Sequence, residues 1–347
     1  MTKTDIRNLS FGELTAHLEA AGEKAFRAGQ VISWLYEKGA RSFDEMSNLS
    51  QGLRDTLKKD FILKSERVSS LVTSRDGTTK FLFDLDDHQK VEAVLIPTEE
   101  RVTGCISTQA GCKFGCQFCA SGIGGWVRNL TSAEILNQVL HVRDEANKRK
   151  RRLSHIVFMG TGEPLDNLPN VLKAIRIINS PRGLNIAARH ITISTVGLIP
   201  KFKELAEQGL QFELAVSLHG YDDASRSMLM PVNKKYPISE LVAACRAYIR
   251  QTNRQITFEY ILIEGLTCTD KAPVALGRLL KGMICKLNLI PCNPVPEFGH
   301  QPPSNEQLRH FTAGLDAAGV HYTLRRPRGQ DVVAACGQLR HCQGNSK

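Results

Sequence analysis

Apolar positions recur at two different periods along this chain. Over about the first sixty residues they follow helical spacing. Residues 11–21 and 28–38 place apolar side chains three or four apart, the spacing that lines one face of a helix. Residues 49–59 repeat the pattern behind Ser47 and Asn48, two candidate N-caps. From about residue 65 to 97 the character changes. Residues 68–73, 79–85 and 91–96 are short runs rich in apolar and β-branched residues. Arg75-Asp76-Gly77 and Asp86-Asp87-His88 separate them, which predicts a meander of strands.

From about residue 100 strand and helix patterns alternate. Strands are expected at 102–108, 155–159, 191–195, 212–217, 256–263 and 286–290, with a last one at 322–325. Helices are expected at 132–147, 170–178, 200–207, 239–252, 272–282 and 304–318. Repeated β–α units imply a parallel sheet. Six or so units are fewer than a closed eightfold barrel needs, so the fold class is α/β, a partial, open (β/α)6 TIM-like barrel. The expected domains are a helical accessory domain at 1–64, a β extension at 65–98, the barrel at 99–300 and a C-terminal segment at 301–347.

In such barrels chemistry gathers at the C-terminal ends of the strands. The second strand ends in Gly160-Thr161-Gly162-Glu163-Pro164. The third ends in Ser194-Thr195-Val196-Gly197 and the fourth in Ser217-Leu218-His219-Gly220. The sixth runs into Pro291-Cys292-Asn293-Pro294. These groups suit a zwitterionic, hydroxylated ligand. Glu163 can accept from an ammonium, and Ser194, Ser217 and Asn293 can meet ribose, carboxylate or adenine edges. A lone Ser after a strand is more often a turn residue or cap, so their shared location carries the argument.

The first barrel strand runs directly into Cys112, Cys116 and Cys119, spaced CxxxCxxC. A cubane iron–sulfur cluster normally takes four thiolates. Three packed together leave one iron with an open position, as at a catalytic metal that binds a second molecule. The best-known such molecule is S-adenosylmethionine. A structural zinc site would usually show two Cys/His pairs, and no His lies between Thr103 and Leu140. Gly111, Gly115 and Gly122 allow a tight loop around a ligand. On the residues alone, Cys105, Cys336, Cys245, Cys268 and Cys285 read as buried, inert thiols.

The chain has 347 residues, 42% of them hydrophobic, enough for a large core and about two domains. There is no charge-free apolar run near membrane-spanning length, and the polar N-terminus is unlike a secretory signal. Ten cysteines without such a signal predict a reducing, cytoplasmic setting. Lys plus Arg number 45 against 35 acidic residues, a formal net charge of +10. That excess favours polyanionic partners. It is concentrated in residues 148–152, where a solvated helix end is the simpler reading, and in Arg325, Arg326 and Arg328, the better candidates for phosphate contact.

Taken together, these runs resemble a known family. The resemblance covers nearly the whole chain. It takes in Phe26-Arg27-Ala28-Gly29-Gln30 with Trp34-Leu35-Tyr36, Ser42-Phe43-Asp44-Glu45-Met46 and Glu92-Ala93-Val94-Leu95-Ile96-Pro97. It continues through the cysteine loop, the Gly-Thr-Gly-Glu-Pro and Ser-Leu-His runs and Pro231-Val232-Asn233-Lys234-Lys235-Tyr236. Ile290 to Pro294 and Ala335-Cys336-Gly337-Gln338-Leu339 complete it. The chain is similar to the radical S-adenosylmethionine RNA methyltransferases that methylate carbon 2 of adenosine in bacterial 23S ribosomal RNA and transfer RNA. A sister family acts at carbon 8 and gives resistance to chloramphenicol-type antibiotics.

The resemblance implies a radical-SAM barrel with a [4Fe-4S] cluster on Cys112, Cys116 and Cys119 and two S-adenosylmethionine molecules per turnover. It implies cofactor contacts at Gly162, Glu163, Ser194, Ser217, Leu218, His219 and Asn293. It makes Cys336 the thiol that is first methylated. A 5′-deoxyadenosyl radical then takes hydrogen from the S-methyl group, and the resulting carbon radical adds to the adenine ring. Glu92 is implied as the base for the ring proton, and Cys105 as the thiol that releases the product with a transient Cys105–Cys336 disulfide. The implied partners are 23S rRNA, tRNA as a candidate second substrate, and an electron donor such as flavodoxin or ferredoxin. A monomer with no membrane contact is expected.

The chain departs from the family pattern at Thr161, where Met is usual, at Cys292, where many members carry an aromatic residue, and at Gly220, where Ala is common. The readings carried forward as alternatives are the same machinery acting at carbon 8 or on another RNA, a radical activase or mutase that leaves Cys336 and Cys105 idle, and a zinc-stabilised RNA-binding protein.

Overall fold

The computed structural model describes residues 3–340. Its centre is a ten-stranded sheet, formed by β1 (Arg67–Thr73), β2 (Thr79–Asp84), β3 (Lys90–Pro97), β4 (Val102–Cys105), β5 (His155–Phe158), β6 (Ile191–Thr195), β7 (Glu213–Ser217), β8 (Ile256–Leu262), β9 (Cys285–Pro291) and β10 (Tyr322–Leu324). Spatial order follows chain order from β1 to β10. The strands β1 to β4 pair antiparallel, and every pair from β4 to β10 is parallel. The result is a partial barrel whose sheet continues into the β extension and, through β10, across residue 300.

Connecting helices cover the outer face. Ser132–Lys148 and Leu168–Asn179 bury their apolar stripes against the strands, as do Ile238–Thr252 and Lys271–Leu280. Within strands the alternation of buried and half-buried residues assigns one set to this core and the other to the lumen. Thus Ile191, Ile193 and Thr195 are buried, while Thr192 and Ser194 look inward.

The N-terminal helices Phe11–Ala20, Phe26–Ile32 and Gln51–Asp60 pack as a small unit. The Arg7 guanidinium donates to Asn137 and to the Lys64 carbonyl, and Asn8 accepts from Ala133 N at 2.9 Å. The bonds to Asn137 and Ala133 fasten the unit to the helix Ser132–Lys148.

Several boundaries differ from expectation. The third helix is capped by Ser50, which accepts from Leu53 N at 3.2 Å, and not by Ser47 or Asn48. The second helix starts at Phe26 and finishes in a wider turn, Ser33–Glu37. The first barrel strand stops at Cys105 and not at residue 108, because Ser107 turns aside to donate to the Glu92 carbonyl at 2.6 Å. Among the described residues no helix is long and apolar enough to cross a membrane. Residues 341–347, the end of the expected C-terminal segment, lie outside the described residues.

Candidate active site

After β4 the chain forms a small antiparallel ribbon, Gln109–Gly111 with Trp126–Asn129. The loop between these strands carries Cys112, Cys116 and Cys119. Gly111 has φ +76, and a Cβ there would stand 1.9 Å from the Gly125 carbonyl oxygen. No other residue fits that position. Gly122 lies against the Gly115 backbone, where a Cβ would meet Cα at 3.2 Å. Cys116 is buried and its two companions are half-buried. Burial pushes the Cys112 thiol up to about 12 and raises Cys116 and Cys119 as well. Three such thiols gain most from a cation that draws off their protons.

Among the described residues no three His, Cys, Asp or Glu side chains gather closely enough for a single metal ion. A cubane is broader than one ion and holds its thiolates apart. The donor set, three thiols on a glycine cradle, fits such a cluster.

Beside the thiols lies a cavity lined by Gly162, Glu163, Ser194, Ser217, His219 and Asn293. Glu163 is buried. Its Oε1 accepts from Leu165 N at 3.0 Å and its Oε2 from Val196 N at 2.8 Å. Burial nevertheless raises its pKa to about 7, against the lowering effect of those bonds. The His219 backbone is left-handed, φ 48, and its Nδ1 accepts from Ile261 N at 3.0 Å. That bond leaves the proton on Nε2. Burial lowers the His219 pKa to about 3, so the ring is neutral. Phe118 of the cysteine loop packs edge-on against it at 4.7 Å.

Leu218 is not brought to this cavity. Its side chain is in the core, its N–H donates to the Glu259 carbonyl and its carbonyl accepts from Arg226 Nε. Arg226 itself was not foreseen. It is fully buried and donates to the carbonyls of Val196, Ser217, Leu218 and Tyr236 and to Asn233 Oδ1. It thereby ties the ends of β6 and β7 to the following helix, Asp223–Leu229.

The segment around Cys336 folds back over the barrel mouth. Gly337 accepts from Ala120 N at 2.7 Å and Leu339 from Ser121 Oγ at 2.7 Å, both donors being in the cysteine loop. Asn293 Nδ2 donates to the Cys336 carbonyl at 3.1 Å. Cys336 lines the strand-end cavity and also a larger one of about 540 Å³ that fills the lumen. Cys105 lines the larger cavity and packs with Ala334 and Leu339, on either side of Cys336. Both are free thiols. Burial pushes Cys105 up to about 12, with Cys336 adding to the rise and Arg325 opposing it. Glu92 is buried, 3.1 Å from Lys80 Nζ, and its Oε2 accepts from Arg340 N at 2.8 Å.

Comparison with known proteins agrees with this geometry. Residues 4–63 match the ribosomal RNA large subunit methyltransferase N-terminal domain, and residues 106–270 match the radical SAM superfamily. A protein from Alkaliphilus oremlandii, described as a probable dual-specificity RNA methyltransferase RlmN, is 46% identical over 98% of this chain and 98% of its own. A Bacillus licheniformis protein of the same description is 45% identical over 97% of this chain and 94% of its own. The chain belongs to the RlmN family. The crystal structure of a radical SAM methyltransferase from Sphaerobacter thermophilus superposes with a TM-score of 0.92 and 42% identity, covering 97% of this chain and 99% of that one. Membership in the RlmN family makes the protein a methyltransferase of the radical SAM class, which works with S-adenosylmethionine and an iron–sulfur cluster.

The three departures from the family pattern have distinct settings. Thr161 is buried. Its N–H donates to Ser107 Oγ, and its carbonyl accepts from Thr108 and Gln109 N–H groups, so this position acts through backbone. Cys292 packs with Cys116, Leu229 and Met230. A Cβ on Gly220 would come within 2.6 Å of Arg226 N, so here the glycine lets Arg226 approach.

Proposed function

We propose that this protein methylates carbon 2 of adenosine in RNA, with 23S ribosomal RNA as substrate and tRNA as a second, through a methylated Cys336. The observation that carries this reading is the position of Cys336, whose residue lines two cavities at once. One holds the cluster thiols and the strand-end polar groups; the other is a 540 Å³ chamber containing Cys105. A thiol that collects a methyl group on one side and delivers it on the other needs that position.

When bound, the cluster and S-adenosylmethionine supply the one-electron chemistry that an electron-poor ring carbon requires. The protein's own groups do the rest. Cys112, Cys116 and Cys119 hold the cluster. Glu163 accepts from the cofactor ammonium, while Ser194, Ser217 and the His219 ring orient the remainder. The Cys336 sulfur loses its proton as it takes a methyl group by displacement. Glu92 accepts the proton from the adenine carbon. Cys105 gives up its proton and its sulfur bonds to Cys336 sulfur as the bond from Cys336 to the transferred carbon breaks; that carbon keeps the electron pair and takes up a proton to become the methyl group, leaving a disulfide that two electrons reduce. This sequence consumes two S-adenosylmethionine molecules per product. A flavodoxin or ferredoxin supplies electrons, the working unit is a monomer, and the setting is the cytoplasm.

The test is anaerobic reconstitution with iron, sulfide, S-adenosylmethionine, reductant and RNA lacking the modification, followed by mass spectrometry of the nucleosides. Adenosine methylated at carbon 2 is the expected product. Methylation at carbon 8, or 5′-deoxyadenosine with unmodified RNA, overturns the assignment.

A further inference from the structure

Cys336 sits on a strap that is tied at both ends. Upstream, Ser74 Oγ donates to Asp331 Oδ1 at 2.6 Å, and Gly329 N donates to Asp76 Oδ2 at 3.0 Å. Downstream, Arg340 N donates to Glu92 Oε2 at 2.8 Å. One side chain joins the two halves. Lys80 Nζ lies 3.1 Å from Glu92 Oε1 and donates to the Val333 carbonyl at 3.1 Å. Val333 and Arg340 flank Cys336 three residues before and four after it. The strands explain the meeting: Leu82 pairs with Glu92 and Lys80 with Val94, so Lys80 and Glu92 are diagonal neighbours on one face of the sheet. Val94, on that face, packs with Cys105, Ala334 and Leu339.

Two further features mark the strap as held under constraint. Val333 has φ 52, a left-handed conformation that is an outlier for a β-branched residue and persists only where neighbours impose it. Lys80 and Glu92 are largely withdrawn from water, with side-chain exposures of 19% and 7%. A pair so placed is costly to break from one side, because the remaining charge loses its partner.

We propose that Lys80 is a positioning residue: with Glu92 it clasps the strap closed and so fixes the Cys336 thiol between the two cavities. The proposal rests on the functional reading above only in what Cys336 does there. In the closed strap both Glu92 oxygens are engaged, one by Lys80 and one by Arg340 N. Each carboxylate oxygen keeps a further lone pair, so Glu92 can take a ring proton while the strap stays closed.

The experiment compares wild type, Lys80→Met and Lys80→Arg as full chains with the cluster reconstituted. Hydrogen exchange of the peptide spanning residues 331–340 and the rate of Cys336 alkylation are followed by mass spectrometry, beside RNA methylation. Losing a charge-assisted contact predicts that Lys80→Met raises both exchange and alkylation about tenfold and lowers methylation by at least as much. Lys80→Arg, which keeps the charge and the donors, restores all three to within about threefold. Unchanged exchange and alkylation in a folded Lys80→Met protein overturn the clasp, as does an Arg variant no better than Met. If Lys80→Met fails to fold, Lys80→Gln takes its place with the same expected direction. Exchange and alkylation need no RNA, so a wild type that methylates none defeats the functional reading and leaves the clasp standing.

Discussion

Glu163 receives two backbone hydrogen bonds, yet burial still lifts its pKa from 4.5 to about 7. Between those values the folded protein holds a proton that the unfolded chain has lost. Stability therefore falls as pH rises through this window, by up to about 3 kcal/mol above it. The thermal midpoint of the ligand-free protein is expected to drop more steeply between about pH 5 and about pH 8 for wild type than for Glu163→Gln. A ligand ammonium reverses the sign by stabilising the carboxylate, so S-adenosylmethionine binding near pH 6.5 is expected to release a proton. Calorimetry in two buffers of different ionisation enthalpy checks this. Cys336→Ala removes the thiol of the residue that lines both cavities and is expected to abolish RNA methylation; retained product would sink the proposed route. Cys112, Cys116 and Cys119 were legible as a group because their spacing is local, and one short loop carries all three. Leu218 was not, since only the turn of the chain after β7 decides that its side chain enters the core while its neighbour His219 faces the ligand cavity.

The short connections, more than the strands, decide whether the strand ends converge. Every barrel strand was visible from apolar runs, within a few residues, because burial on one face imposes the pattern. The ribbon of Gln109–Gly111 with Trp126–Asn129 and the seven-residue helix Asp223–Leu229 were not, being too short to show a period. The most consequential hidden contact belongs to that helix. Arg226 is fully buried and serves four carbonyls and one amide oxygen from three different stretches of chain. No sequence pattern announces bonds of that kind. Arg226→Met leaves the ends of β6 and β7 with carbonyls cut off from water. Unsatisfied buried groups of this number are expected to cost about 3–5 kcal/mol. Denaturant unfolding should show that loss, and S-adenosylmethionine binding should weaken together with it because Val196 and Ser217 line the cavity. A variant of wild-type stability would refute the role assigned to Arg226.

At the scale of the molecule, the net charge of +10 is unevenly available for a polyanion. The cationic run at residues 148–152 reads in sequence as a solvated helix end, but the fold engages much of it. Arg149 donates to the Gly77 carbonyl and to Thr79, Arg151 to the Thr98 carbonyl, and Arg152 to the Asn185 carbonyl. Those bonds brace the β extension and the barrel loops. The second basic group divides as well. Arg325 turns into the lumen, where Cys336 and Glu259 raise its pKa, so it is no surface phosphate contact. Arg326 and Arg328 stay at the border of the 540 Å³ cavity with Arg101 and Lys286. An RNA that sends a base towards Cys336 would leave its phosphates at this border. Counterion release then gives a quantitative expectation. Each phosphate neutralised contributes about −0.7 to the slope of log affinity against log salt for a single strand. Arg326→Ala should lower affinity at every sequence tested and flatten the slope by about that amount. Lys150→Ala, in the run that braces the fold, should leave the slope unchanged. The reverse result would move the RNA to the outer face of the barrel and away from the cavity that holds Cys105 and Cys336.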